Sequence, residues 1–303
     1  MVENGDGRTA RRCPACGSAE AERVGEKDKF PLTRCRACRT LYVAELPCAS
    51  DSEDYDSYYG EENLAVPEFI NRRLDEIIAG FAPYRRGGRL LDVGCGAGTI
   101  MQAARRAGWE AVGVEVSATA AEHNRAEGFE VFNGELAEAR YGEGHFDVVV
   151  LSEVLEHVAE PRELLREVLR VMRPGGLLWA TTPNGQGFSA RSLGLKWSAV
   201  SPPEHLHLFS RGAIESLLTE TGFVRARVVT EGFNPFEIVG ALRGRPAPSV
   251  HAASNARVQS GYELNAFLTE GGARRALKGF ANGVLRLCGL GDSLKIRAEK
   301  NEK

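Results

Sequence analysis

The sequence predicts an α/β protein, a parallel sheet with crossover helices, carrying a small metal-held module at its N-terminus. Three observations lead there. From Arg89 onward, short apolar strands alternate with amphipathic helices. A glycine-rich turn, Gly94-Cys-Gly-Ala-Gly98, joins the first of those strands to the first of those helices. Four of the seven cysteines stand in two Cys-x-x-Cys pairs near the N-terminus.

Composition narrows the class. The 303 residues are 43% hydrophobic and 26% charged, enough for one large domain and a small one beside it. A formal charge of −3 gives no general reason to expect a polyanionic partner. No apolar run approaches the ~18 residues that span a bilayer, so no membrane span is expected. Residues 1–12 lack the apolar core of a signal peptide, and a cytoplasmic location is the simple expectation. Thiols stay reduced there, so the paired cysteines ask for a metal rather than for disulfides.

The elements follow in order. Cys13-Pro-Ala-Cys16 and Cys35-Arg-Ala-Cys38, with 18 residues between the pairs, fit four thiolates around a zinc ion. Four thiolates leave no open coordination position, so this zinc is expected to be structural, replacing a core too small to fold alone. Residues 1–48 are read as that module and the acidic, tyrosine-rich residues 49–66 as a solvated linker. Ile70, Leu74, Ile77, Ile78 and Phe81 then form one helical stripe at the start of the large domain, residues 67–303.

Strands are expected at 89–94, 111–116, 129–133, 146–151, 177–182, 224–231 and 293–299. Helices are expected at 98–107, 117–127, 161–173 and 210–221. The run Phe146-Asp-Val-Val-Val-Leu151 suits a strand covered on both faces. Ser117 and Ser210 stand where N-caps belong, Pro161 suits a first turn and Gly222 a helix end. Residues 232–292 are too many for a hairpin loop and read as inserted helices forming a lid or an acceptor wall.

The chemistry starts at the glycine turn. Gly94, Gly96 and Gly98 let the backbone bend and approach a ligand where a strand's carboxyl end meets a helix N-terminus. Glu115 ends the next strand, 17 residues beyond Gly98, where a carboxylate accepts both ribose hydroxyl hydrogens. That much suits NAD as well as S-adenosylmethionine. Asp92, two residues before the first glycine, decides between them: a carboxylate is welcome beside a cationic amino-acid group and unwelcome beside a pyrophosphate.

Leu90-Leu-Asp-Val-Gly-Cys-Gly-Ala-Gly98 resembles the first motif of class I S-adenosylmethionine-dependent methyltransferases. Residues 146–157 and Leu169-Arg-Val-Met-Arg-Pro-Gly-Gly176 are similar to later motifs in the same order. The resemblance covers about residues 85–230. It implies a Rossmann-like seven-stranded sheet whose last strand, 293–299, is antiparallel. It also implies Asp92, Gly94, Cys95 and Gly96 around the methionine part, and Glu115 and Val116 at the ribose. Gly134, Glu135 and Leu136 then lie by the adenine, with Ser152 nearby and Tyr58 or Tyr59 folding over the cofactor.

Two places offer a group to take the acceptor's proton. Ser152-Glu-Val-Leu-Glu-His157 follows the fourth strand and resembles the Glu-x-x-Glu-His element of ubiquinone-pathway O-methyltransferases. That likeness implies Glu153, Glu156 and His157 as ligands of a divalent ion such as Mg2+. The alternative is that Glu156 and His157 only orient the following segment. Pro202-Pro-Glu-His-Leu-His-Leu-Phe-Ser210 carries His205 and His207 two residues apart, with Leu206 between them, in an extended segment. His207 is expected as the general base and His205 as its support, unless the loop merely anchors the helix after Ser210. Trp197 and Phe209 are expected as acceptor-pocket walls or as core.

These readings converge on an enzyme that O-methylates a small molecule or sugar-bearing metabolite in glycan or natural-product biosynthesis. The alternatives are a sugar C-methyltransferase, an RNA methyltransferase docking through its zinc module, and a binding protein that retains the fold. Glu and Asp interleaved with the arginines of the module argue against nucleic acid.

Overall fold

A computed structural model describes residues 11–47, 68–242 and 283–302. The expected linker, with Tyr58 and Tyr59, lies outside these residues, as does most of the 232–292 insertion.

The N-terminal module contains strands β1 (Ala21–Lys27), β2 (Phe30–Cys35) and β3 (Leu41–Val43). Asp28 and Lys29 join β1 to β2 with φ of 48° and 65°, the left-handed pair that a two-residue hairpin of native twist requires. Cys35 ends β2, which puts the second cysteine pair on the turn into β3, beside the first pair.

Helix α1 (Glu68–Ala79) opens the large domain. Strand β4 (Arg89–Val93), helix α2 (Thr99–Arg106), strand β5 (Glu110–Glu115), helix α3 (Ala118–Ala126) and strand β6 (Glu130–Asn133) follow. Next come strand β7 (Phe146–Ser152), helix α4 (Pro161–Val171), strand β8 (Met172–Pro183) and the short helix α5 (Phe188–Leu193). Strand β9 (His207–Leu208), helix α6 (Arg211–Thr221), strand β10 (Phe223–Glu231), helix α7 (Pro235–Leu242) and strand β11 (Ser293–Lys300) complete the order.

The large sheet has seven strands in the order β10-β11-β8-β7-β4-β5-β6. Strands β4 to β8 pair in parallel, while β11 runs antiparallel to both β8 and β10. The reversed seventh strand is the one expected. Alternation along β7 feeds two cores. Val148 and Val150 pack with Ile78, Phe81 and α2, whereas Val149 and Leu151 face Leu165, Val168 and Leu217. Ser117 and Ser210 accept from Ala120 N and Ala213 N, capping α3 and α6 as their side chains predict.

Two boundaries differ. The helix expected to run to Arg173 ends at Val171, because Met172 already pairs with Phe146 and starts β8. The loop after β8 contributes β9, which pairs with β3 and becomes the fourth strand of the module's sheet.

Candidate cofactor and acceptor site

The cofactor half of the site is built at the carboxyl ends of β4 and β5. Gly94 has φ of 69°, and a Cβ there would stand 2.7 Å from Val154 Cγ2. Gly98 has φ of 73°, and a Cβ would stand 1.8 Å from Asn124 Oδ1. Backbone conformation and crowding both therefore demand glycine at these two positions. Asn124, fully buried on α3, donates to Gly96 O at 2.7 Å and to Ala120 O at 2.8 Å, which holds the turn from beneath. Sequence reasoning missed Asn124. A single polar residue on a short helix carries no local sign of facing inward.

Asp92 and Glu115 meet beside that turn. Glu115 is buried and already accepts from Gly96 N at 2.8 Å and from Ser117 N at 3.0 Å, one bond on each oxygen. Each oxygen keeps a lone pair for a ribose hydroxyl. Asp92 is 1% exposed, and its Oδ1 has no hydrogen-bond partner among the described residues. Burial, and then the neighbouring Glu115 charge, push its carboxyl up to about 8. An unpartnered buried carboxylate costs free energy until a cation arrives. An amino-acid ammonium is such a cation, and a pyrophosphate is not.

A second group of candidate residues follows β7. Glu156 is fully buried and accepts from Thr182 Oγ1 at 2.9 Å through one oxygen, while the other, Oε1, has no partner among the described residues. Burial raises its carboxyl well above the usual range, and Glu153 raises it further. One ligand atom from each of Glu156, His157 and His205 lies within 4.8 Å of the others. His157 Nδ1 donates to Glu204 O at 2.9 Å and His205 Nδ1 donates to Ala199 O at 2.7 Å. Those carbonyls engage Nδ1 of each ring and so orient it. The two rings meet edge to face at 4.7 Å. Val154, against Gly94, ties this segment to the cofactor turn.

A family model described as a methyltransferase domain matches residues 66–227, more than half of the chain. The chain belongs to the S-adenosylmethionine-dependent methyltransferase domain family. A curated relative, the ubiquinone biosynthesis O-methyltransferase of Maricaulis maris, is 32% identical over 171 residues, 52% of this chain and 67% of that protein. The enzyme of the same name from Caulobacter sp. is 40% identical over 112 residues, 35% of this chain and 44% of that protein. The match thus spans from under half to two thirds of these relatives. Among solved structures, a methyltransferase from Archaeoglobus fulgidus superposes with a TM-score of 0.53 at 18% identity, covering 82% of this chain and 100% of that one. Phosphoethanolamine N-methyltransferase 2 of Haemonchus contortus, in complex with S-adenosyl-L-methionine, gives 0.50 at 20% identity, covering 82% of this chain and 56% of that one. Both show the fold.

The methyltransferase domain places the remaining expected residues unevenly. Val116 is 52% exposed at the end of β5, an apolar face beside Glu115, and Ser152 Oγ lies 3.4 Å from Thr181 Oγ1. Glu135 is exposed and Leu136 is buried in the core. Cys95 packs with Met101, Ala121 and Phe129, and burial pushes its thiol up. Trp197 and Phe209 are both core.

His207 requires a correction. It is 1% exposed, its Nε2 donates to Val158 O at 2.7 Å, and its Nδ1 accepts from Arg11 at 3.4 Å. Burial, with the Arg11 charge, pushes it down to about 3. With both ring nitrogens engaged in protein contacts, it is a tie and not a base. His205, expected only as support, is the imidazole that stands with Glu156. Of the residues expected together, Glu156 and His157 gather with His205, whereas Glu153 acts on Glu156 as a neighbouring acid.

In the module, Cys13 Sγ lies 3.5 Å from Cys38 Sγ, and Cys16 Sγ lies 3.6 Å from Cys35 Sγ. All four sulfurs fall within 4.8 Å of one another. Tetrahedral zinc with bonds of about 2.3 Å sets sulfurs ~3.8 Å apart. The donor set and its spacing fit that ion. Among the described residues, no helix is long and apolar enough to cross a membrane.

Proposed function

We propose that this chain O-methylates a hydroxyl group of a small molecule or sugar-bearing metabolite, using S-adenosylmethionine. The observation that carries the reading is the gathering of buried Glu156 with His157 and His205 next to the cofactor turn, Glu156 Oε1 having no hydrogen-bond partner among the described residues. Methyl transfer is an in-line displacement on a carbon already activated by the sulfonium, so alignment and removal of one acceptor proton are what remain. Asp92 would hold the ammonium, Glu115 and Val116 the ribose, and Gly134, Glu135 and Leu136 the adenine side. Glu156 or His205 would take the acceptor proton.

Two imidazoles and a carboxylate, each imidazole oriented by a backbone carbonyl, are also a donor set that fits a divalent ion. The set is softer than Mg2+ prefers and suits Mn2+, Fe2+ or Zn2+ better. A divalent ion supplies a lowered pKa to a hydroxyl that it binds. The O-methyltransferase names of the curated relatives support the acceptor class. Four thiolates at zinc-like spacing support a structural zinc.

Transfer of labelled methyl groups to a panel of hydroxylated aromatics and sugars tests the proposal. Label recovered as methyl ethers supports it. Label found only on nitrogen or carbon, or in RNA and in no small molecule, refutes it.

A further inference from the structure

The four-cysteine module does not sit apart from the site. Strand β3 pairs with β9, placing Leu41 opposite Leu208 and Tyr42 opposite His207, and Val43 N donates to Leu206 O at 3.0 Å. On the other side of the same segment, Leu206 N and His207 N donate to Glu156 O at 2.7 and 3.2 Å. The acceptor loop is therefore stitched to the module along one edge and to Glu156 along the other.

Side chains repeat the pattern. His207 reaches Val158 O through Nε2 and accepts from Arg11 through Nδ1, while Arg11 also donates to Ala159 O. Ser210 caps α6 and at the same time donates to Cys38 O at 2.7 Å, inside the second cysteine knuckle. Arg162, on α4, donates to Ala15 O at 2.9 Å, inside the first. Both knuckles thus carry a bond from the segments that flank Glu156, His157 and His205. The apolar contacts agree, since Leu32, Leu41 and Val43 share a core with Ala199, Val200 and Leu206.

We propose that the module is a clamp that sets the spacing of Glu156, His157 and His205, with His207 as its keystone, so that metal occupancy governs the acceptor half of the site and leaves the cofactor half intact. His207 is then a positioning residue. The role given to the three clamped side chains rests on the function proposed above, but the clamp itself does not. The cofactor turn is held from within the large domain, where Gly94, Gly96 and Gly98 are bonded to Val114, Glu115, Cys95 and Asn124.

Hydrogen–deuterium exchange on the full-length protein, before and after a strong chelator removes zinc, tests this without any acceptor. Exchange over residues 153–159 and 201–210 should quicken by about tenfold or more, as locally released segments do. Residues 89–116 should keep their protection, and affinity for S-adenosylhomocysteine should stay within about twofold. Faster exchange confined to residues 11–47 would make the module an autonomous appendage and overturn the proposal. Loss of protection over 89–116 as well would make the metal a global staple and overturn it too.

A second arm keeps the metal in place. His207→Leu, loaded with Co2+, should show the same local release with its thiolate–cobalt absorption band unchanged. His207→Gln, which retains an amide donor for Val158 O and an acceptor for Arg11, should restore protection. Unaltered exchange in His207→Leu would remove His207 from the role. Neither arm depends on which molecule is methylated, so failure of the clamp and failure of the proposed function are read separately.

Discussion

Asparagine in place of Asp92 isolates one charge in the cofactor site. The carboxyl sits at about 8 because burial and Glu115 both oppose its ionisation. Below that pH the cofactor's ammonium must displace a proton to gain a carboxylate. Wild-type affinity for S-adenosylhomocysteine should therefore rise with pH, approaching tenfold per unit between about 6 and 8, and flatten above. At pH 7, ionising the group costs about 1.4 kcal/mol. A charge-assisted hydrogen bond is worth about 3 kcal/mol at the upper end of its range, which suits a carboxylate only 1% exposed. The net loss for Asp92→Asn is then about 1.6 kcal/mol at pH 7, or about 15-fold in affinity, widening to about 150-fold above pH 8. In the cofactor-free protein the sign reverses. A folded-state pKa above the unfolded value gives stability that is full below about pH 4 and declines as pH rises through 8, so Asp92→Asn should flatten that decline. Calorimetric titrations across this range, in buffers of different ionisation enthalpy, read both affinity and proton release. A wild-type affinity independent of pH between 6 and 8, or an equal affinity in Asp92→Asn, would refute the reasoning.

Two further predictions address the remaining carboxylates. Glu115→Ala removes the acceptor for Gly96 N and Ser117 N together with the ribose contact, and should weaken S-adenosylhomocysteine by about 3 kcal/mol, roughly 150-fold, by calorimetry. Retained affinity would dismiss the ribose assignment. Glu156→Gln keeps an oxygen for Thr182 but takes away the ionisable group, and should lower methyl transfer by about a hundredfold or more with cofactor affinity unchanged. A variant with normal turnover would leave Glu156 a purely structural acid.

What could be read from the sequence is what local chemistry decides. The strand at Phe146–Ser152, the glycine turn and the serine caps each carry their own signal within a few residues, and each stands where the pattern puts it. The roles of His205 and His207 were legible only by half. Spacing alone does not separate the two rings, and that His207 is tied down depends on β3 pairing with β9, more than 160 residues away along the chain. In the module β1 carries few apolar residues and β3 is only 3 residues long, so its cysteines are what announced it. Glu156 was found through a family likeness. Its bond from Thr182 and its approach to His205 come from β8 and the loop after it, neither of which lies near it in sequence.

The most direct test of the account is a crystal structure grown with S-adenosylhomocysteine and Mn2+, with anomalous scattering recorded at the manganese and zinc edges. The cofactor's ammonium is expected on Asp92, its ribose on Glu115, and its sulfur facing Glu156, His157 and His205, with zinc among Cys13, Cys16, Cys35 and Cys38. A cofactor bound away from Asp92 and Glu115, or a sulfur turned away from that cluster, would contradict it.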